Sequence, residues 1–291
     1  MSALFYRALA QASRWVGLWI VGVMGAIIAA GYYLFLPRRT GHSVRFYRAL
    51  FPERSWFYAS WCAWRQYQDF ARVYSERLEV DRRRDVTFER DGENYVAQAQ
   101  AAGRGAILVM SHFGRWEIGA RLLSRRQESL TLVMGGQEAG GARAGVDRDL
   151  RNAGVDVVTI PDGQGQAFDI LEAVQVLRQG GIVSLAADRV WGNARELRLP
   201  FLGGMAAVAA APFALALVSG APLLVVFAMR IGPRHYRFVS YPPVTLAVSS
   251  RRERQTVLEQ AAAAYLQRLQ AVVKAHPEQW QNFGSFLHRA K

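Results

Sequence analysis

The chain has 291 residues, half of them apolar, and its 36 Lys and Arg against 23 Asp and Glu give a net charge of +13. That length suits one α/β domain with a terminal extension. The excess is almost all arginine, Lys274 and Lys291 being the only lysines, and it seeks anionic partners such as nucleic acid, acidic proteins or lipid head groups. Cys62 is the only cysteine, which excludes intramolecular disulfides and cysteine-based zinc sites.

The first element is an uncharged run from Val16 to Leu36, "VGLWIVGVMGAIIAAGYYLFL". Its 21 residues match a hydrocarbon core about 30 Å thick. Trp15 and Trp19 stand near one end and Tyr32 and Tyr33 near the other, as interfacial aromatics do. Arg38, Arg39, Arg45 and Arg48 follow, and this basic flank places the rest of the chain on the cytoplasmic side. The expectation is a membrane-anchoring helix; a buried core helix and a cleaved signal segment are the alternatives.

Residues 43–85 form an aromatic and basic segment in which Phe46, Leu50, Phe57, Trp61, Trp64, Tyr67, Phe70 and Tyr74 recur at mostly helical intervals. Two helices broken near Pro52 are predicted, with a stripe that suits either the core or a membrane interface. After "DRRRD" the pattern alternates between strands and helices. Strands are predicted at "VTFER", "GAILVMS", "LTLVMGG", "VDVVTI", "IVSLAAD", "PLLVVFAMR" and "YRFVSY". Helices are predicted around 93–102, 116–127, 143–153, 166–179, "APFALALVSG" and 250–275. Such alternation predicts a mixed, mostly parallel sheet flanked by helices. The expected organisation is an anchor over 1–42, a helical segment over 43–85 and an α/β domain over 86–291.

In such a sheet, reactive groups collect where strands end and helices begin. His112 follows the apolar "AILVM", and Glu117 falls in the first turn of the next helix. With His112 in the turn and Glu117 looking back, the carboxylate would fix the imidazole tautomer while the other nitrogen removes a proton. No cysteine lies nearby and Ser111 has no G-x-S-x-G context, which favours a base acting on a substrate hydroxyl. Asp188 ends another buried strand and belongs to the same layer, or else caps a helix. "PDGQGQAFD" lacks a phosphate-loop pattern and reads as a loop entering a helix. His235 and His288 read as surface or packed residues.

Taken together, these blocks resemble the bacterial lipid A biosynthesis acyltransferase family, within the wider glycerolipid-type acyltransferases. "HFGRWE" is similar to the family's H-x-G-N-W-E form, and "LRQGGIVSLAADRVWG" with "LPFLGG" to its second block. "LALVSGAPLLVVF" and "HPEQWQNF", with His276 structural, are similar to the segments that follow, in order from about residue 105 to 285. Arg115 stands where the family often has Asn, Arg189 where Gln or His is more common, and "NFGSFLHRAK" departs from its W-x-H-R-R-[WF]-K ending.

The resemblance implies an O-acyltransferase at the bacterial inner membrane that moves an acyl chain from acyl-carrier-protein to a hydroxyl of a lipid acceptor. His112 would be the base and Glu117 its partner. Arg115, Arg148, Asp188 and Arg189 would be the substrate-binding or oxyanion candidates, with Arg143 and Arg151 as rivals of Arg148. No metal or cofactor is implied. A lysophospholipid, ornithine-type or polyene-linked acceptor is the near alternative, and a non-catalytic lipid-binding membrane protein the distant one. The anchor and the lack of a recognised motif argue against nucleic acid.

Overall fold

The computed structural model describes residues 19–82, 86–101, 103–124, 130–135, 148, 150–160, 168–190 and 192–288. Three helices come first: α1 (Trp19–Phe35), α2 (Pro37–Leu50) and α3 (Trp56–Arg82). There follow β1 (Thr87–Asp91), α4 (Glu93–Ala101), β2 (Ala106–Met110), α5 (Trp116–Ser124), β3 (Leu130–Gly135), β4 (Asp156–Ile160), α6 (Phe168–Arg178) and β5 (Ile182–Ala186). The rest comprises β6 (Glu196–Phe201), β7 (Gly204–Ala209), α7 (Ala211–Ser219), β8 (Leu223–Gly232), β9 (His235–Ser240), α8 (Arg254–Ala275) and β10 (Leu287–His288).

Seven strands form the main sheet in the order β1-β9-β8-β2-β5-β3-β4, parallel throughout except between β8 and β9. β2 and β5 lie near the middle, and four of the five residues in each are buried. A strand covered on both faces needs apolar residues at every position, hence "AILVM" and "IVSLA" rather than alternation. Ile107 and Val109 face a core shared with α2, α3, α6, α7 and α8; Ala106 and Leu108 face a second core under α4 and α5. β6 and β7 form an antiparallel hairpin that β10 extends to three strands. This hairpin was not among the predicted strands. The buried–exposed alternation of "ELRLPF" is its signature.

The aromatic segment divides between the core and the surface. Phe46, Leu50 and Tyr67 are buried, whereas Phe57, Trp61 and Phe70 are exposed. The break between α2 and α3 falls at Phe51–Ser55, around Pro52 as predicted. The predicted crossing helix begins at residue 16, and residues 16–18 lie outside the described ones, as does most of the predicted 143–153 helix. Among the described residues, no single helix is long and apolar enough to cross a membrane. α1 and α2 meet the length and composition test only together, and they are bent by 89° at Leu36. Val21, Gly25 and Ala29 are buried, and a Cβ on Gly25 would sit 3.4 Å from Ala71 of α3. α1 is thus one arm of a helical hairpin with α3.

Candidate active site

Parallel pairing decides what meets at the end of β2. Ala106 pairs with Ile182 and Met110 with Ala186, so residues equally far beyond these strands emerge side by side. His112 lies two residues past Met110, and Asp188 two past Ala186. The His112 Nδ1 is 2.8 Å from Asp188 Oδ1, with the imidazole 12% exposed and the carboxylate 0%. An ionised carboxylate only accepts, so Nδ1 carries the proton and Nε2 is the basic nitrogen. The His112 backbone N–H donates to both Asp188 oxygens at 3.1 Å, and Trp280 Nε1 donates to Oδ2 at 3.1 Å.

Burial alone would raise the Asp188 carboxyl. The His112 charge and hydrogen bond, with Arg189 nearby, outweigh it and hold the group below its ordinary value. Behind His112, Ser111 Oγ and Tyr265 OH lie 2.6 Å apart in the core. Burial raises the Tyr265 phenol well above its ordinary value, the Asp188 charge adds to this, and the Ser111 hydrogen bond opposes it.

The turn leaving His112 is made by glycine and closed by the end of the chain. Gly114 has φ +67°, and a Cβ there would lie 2.1 Å from the Ala228 carbonyl oxygen on β8. Only glycine allows that approach. Gln279 to Asn282 then bond the turn: Gly114 N–H donates to Gln279 O (2.8 Å), Gln281 N–H to His112 O (2.7 Å) and Gln281 Nε2 to Gly114 O (2.8 Å). Asn282 Nδ2 donates to Asp188 O at 2.9 Å, and Gln66 Nε2 of α3 holds the Trp280 and Asn282 carbonyls at 2.6 and 3.1 Å. The "PEQW" box therefore works as a clamp on the His112–Asp188 pair, which its sequence does not reveal.

Glu117 is half-buried in the first turn of α5. Arg115 is turned into the protein with its side chain 1% exposed, on Asp69 (2.9 and 3.2 Å), Glu76 (2.5 Å) and the Gly114 carbonyl (3.1 Å). Burial would lower its pKa, but the two carboxylates raise it above the usual arginine value. Arg230 of β8 joins them, 3.2 Å from both Asp69 and Glu76. With its donors committed there, Arg115 is an internal ion-pair partner rather than an open anion site, which departs from the oxyanion expectation.

Arg189 donates to the Gln281 carbonyl beside the pair. Arg148 is helical and exposed, Arg151 donates to the Val157 carbonyl, and Arg143 lies outside the described residues. Among the described residues, no group of three or more His, Cys, Asp and Glu is placed to hold a metal.

Between α5 and the sheet lies a narrow apolar cleft, lined by Leu108, Met110, Phe113, Trp116, Leu132 and Phe238 among others. Ser111 and Ser184 are its polar members. It adjoins the His112 turn through Met110, Ser111 and Phe113.

A basic imidazole backed by a buried carboxylate, beside an apolar cleft, is the arrangement on which the comparisons with known proteins bear. A phosphatidylinositol mannoside acyltransferase of Mycobacterium tuberculosis is 26% identical over 189 residues, covering 65% of this chain and 56% of that protein. The chain thus spans little more than half of that relative's length. Residues 49–289 match the sequence profile described as bacterial lipid A biosynthesis acyltransferase, a span holding the two strand ends, the cleft and the closing clamp. The chain belongs to the bacterial lipid A biosynthesis acyltransferase family.

Proposed function

We propose that the protein is an O-acyltransferase that moves a fatty acyl chain from an acyl-carrier-protein thioester to a hydroxyl of a lipid A-type acceptor at the membrane. The observation that carries this reading is the 2.8 Å contact of His112 Nδ1 with a fully buried Asp188. It leaves Nε2 as the proton acceptor and supplies a fixed negative charge to balance the imidazolium.

In this reading Nε2 takes the acceptor hydroxyl proton as that oxygen attacks the thioester carbonyl. The tetrahedral intermediate collapses to the new ester and expels the thiolate, which recovers the proton from His112. Asp188 fixes the ring. Glu117, in the first turn of α5, adds a second negative charge on the imidazolium side, and Arg189 is the cation assigned to the developing oxyanion. The apolar lining beneath α5, next to the His112 turn, is the surface assigned to the acyl chain. The name of the mycobacterial relative favours a glycolipid acceptor, and a phosphatidylinositol-type lipid is the second reading.

Lipid mass spectrometry on cells lacking the protein, complemented with wild type or with His112→Ala, tests this. A lipid heavier by one acyl chain with wild type alone is expected, and its mass identifies the acceptor. Equal restoration by His112→Ala sinks the mechanism.

A further inference from the structure

Among the described residues, four charged side chains belong to buried residues: Asp69, Arg115, Asp188 and Glu278. Asp188 holds His112, Arg115 lies three residues beyond His112 in the same turn, Asp69 touches Arg115, and Glu278 adjoins Gln279 of the clamp. Buried charge is costly wherever it occurs, and apolar residues of similar volume often stabilise a fold as well or better. Its concentration around one turn calls for a reason other than stability.

The geometry of the Arg115 cluster supplies that reason. The guanidinium meets Asp69 edge-on, Nη1 donating to Oδ2 at 2.9 Å and Nη2 to Oδ1 at 3.2 Å, while Nε donates to Glu76. Arg230 closes the ring from β8, its Nη2 donating to Asp69 Oδ1 and its Nε lying beside Glu76 Oε1, both at 3.2 Å. Two cations face two anions, so the cluster is neutral. A bidentate fork fixes direction as well as distance, which a flexible ammonium does not.

The fork is tied to the turn. Arg115 Nη1 also donates to the Gly114 carbonyl at 3.1 Å, the oxygen that Gln281 Nε2 reaches at 2.8 Å. Gln279 exchanges two bonds with the Arg230 backbone, at 2.9 and 2.8 Å, and its own carbonyl receives the Gly114 N–H. Cluster and clamp therefore grip Gly114 together. His112 depends on that grip, because it stands between β2 and α5 and outside both.

We infer that Arg115 and Asp69 are positioning residues for His112: their fork carries the fixed surface of α3 to the Gly114 carbonyl and so aims the imidazole at the reacting hydroxyl, touching no substrate. This deepens the acyl-transfer reading and rests on His112 being its base. A displacement of about 1 Å in such a group is enough to cost up to a hundredfold in rate.

The test separates turnover from stability in the full chain. Arg115→Met/Asp69→Leu removes one cation and one anion together and leaves Glu76 with Arg230, so no charge is stranded. Its melting temperature should stay close to wild type. Its kcat should fall about ten- to a hundredfold, with KM for donor and acceptor unchanged. The acid limb of its kcat/KM profile should move to lower pH, because a ring seated less well on Asp188 gains less as the imidazolium. Arg115→Lys, which keeps the charge and loses the fork, should fall between the two. A readout free of turnover is the low-field proton resonance of His112 Nδ1–H on Asp188, assigned by its loss in His112→Ala; the double variant should shift and broaden it.

Wild-type kcat in the folded double variant overturns the inference, as does a lowered kcat with an unmoved acid limb and an unchanged His112 resonance. Should the double variant fail to fold, Arg115→Lys decides by the same readouts, and wild-type values there overturn the inference too. Full turnover by His112→Ala sinks the base reading instead, while the resonance still reports whether the fork seats the ring.

Discussion

The turn at 111–117 and the outer face of the α1–α3 hairpin are opposite solutions to the problem of placing unlike groups against water. In the turn, a buried carboxylate, a buried guanidinium and several backbone groups each meet a partner, from β5, α3 or residues 279–282. On the hairpin face, tryptophan, phenylalanine and leucine stand uncovered. α3 takes part in both, polar inward at Gln66 and Asp69, aromatic outward. The lesson is that buried charge here is a device for fixing geometry, whereas exposed apolar area adds nothing to that geometry and is left for an outside surface to cover. Substitutions on the two should consequently fail in different assays.

The largest effect is expected at His112. His112→Ala should lower kcat/KM at least about 10³-fold while the fold is retained, with a lowered melting temperature because the buried Asp188 carboxylate loses its imidazole partner. An acyl-transfer assay beside circular dichroism checks both halves, and loss of fold would merge the two regions that the comparison separates. Arg115→Ala should act chiefly on stability, costing about 3 kcal/mol by leaving Asp69 and Glu76 to share Arg230. Denaturant unfolding measures it, and Arg115→Asn should do no better, since a neutral amide leaves the same carboxylates short of a cation.

Asp188→Asn should lower kcat about 10²–10³-fold and show a pH signature in stability. The folded Asp188 pKa is depressed, so its contribution is fully present above the unfolded value of about 3.9 and is lost as pH falls through the folded value. The gap in melting temperature between wild type and variant should hold from about pH 5 to 8 and close below about pH 4. A gap that persisted unchanged in acid would mean that Asp188 acts through packing. Trp280→Phe, which deletes the indole N–H to Asp188 while keeping the ring on Phe46, should cost about 1–2 kcal/mol. Glu117→Gln is expected to reduce kcat less than Asp188→Asn does; the reverse order would make Glu117 the principal partner of His112.

Much of this was legible in the sequence, and the illegible part has one cause. His112 and Asp188 could each be placed at a strand end because apolar runs bounded by turn residues are local signals. Their pairing could not, since nothing local states that β2 and β5 are neighbours; the five-residue span to Glu117 offered the nearer partner. Arg115 was open to an oxyanion role for the same reason: its carboxylates lie 39 and 46 positions upstream on α3. The "PEQW" box was recognisable as a pattern but mute as to its bonds. In α1, the uncharged length spoke for crossing a bilayer, while the spacing of Val21, Gly25 and Ala29 carried the quieter message of a helix packed on a helix.

The clamp formed by residues 279–282 also bears on when the protein becomes competent. Gln66 and Trp280 meet across 214 positions, and Tyr47 donates to the Pro277 carbonyl across 230. Contacts of such span form late, because the intervening chain must first be ordered. The parallel sheet and the helical hairpin can therefore assemble on a growing chain while the imidazole is still loosely held. The site is complete only once residues 279–282 fold back onto the His112 turn, so its geometry depends on contacts of long sequence span.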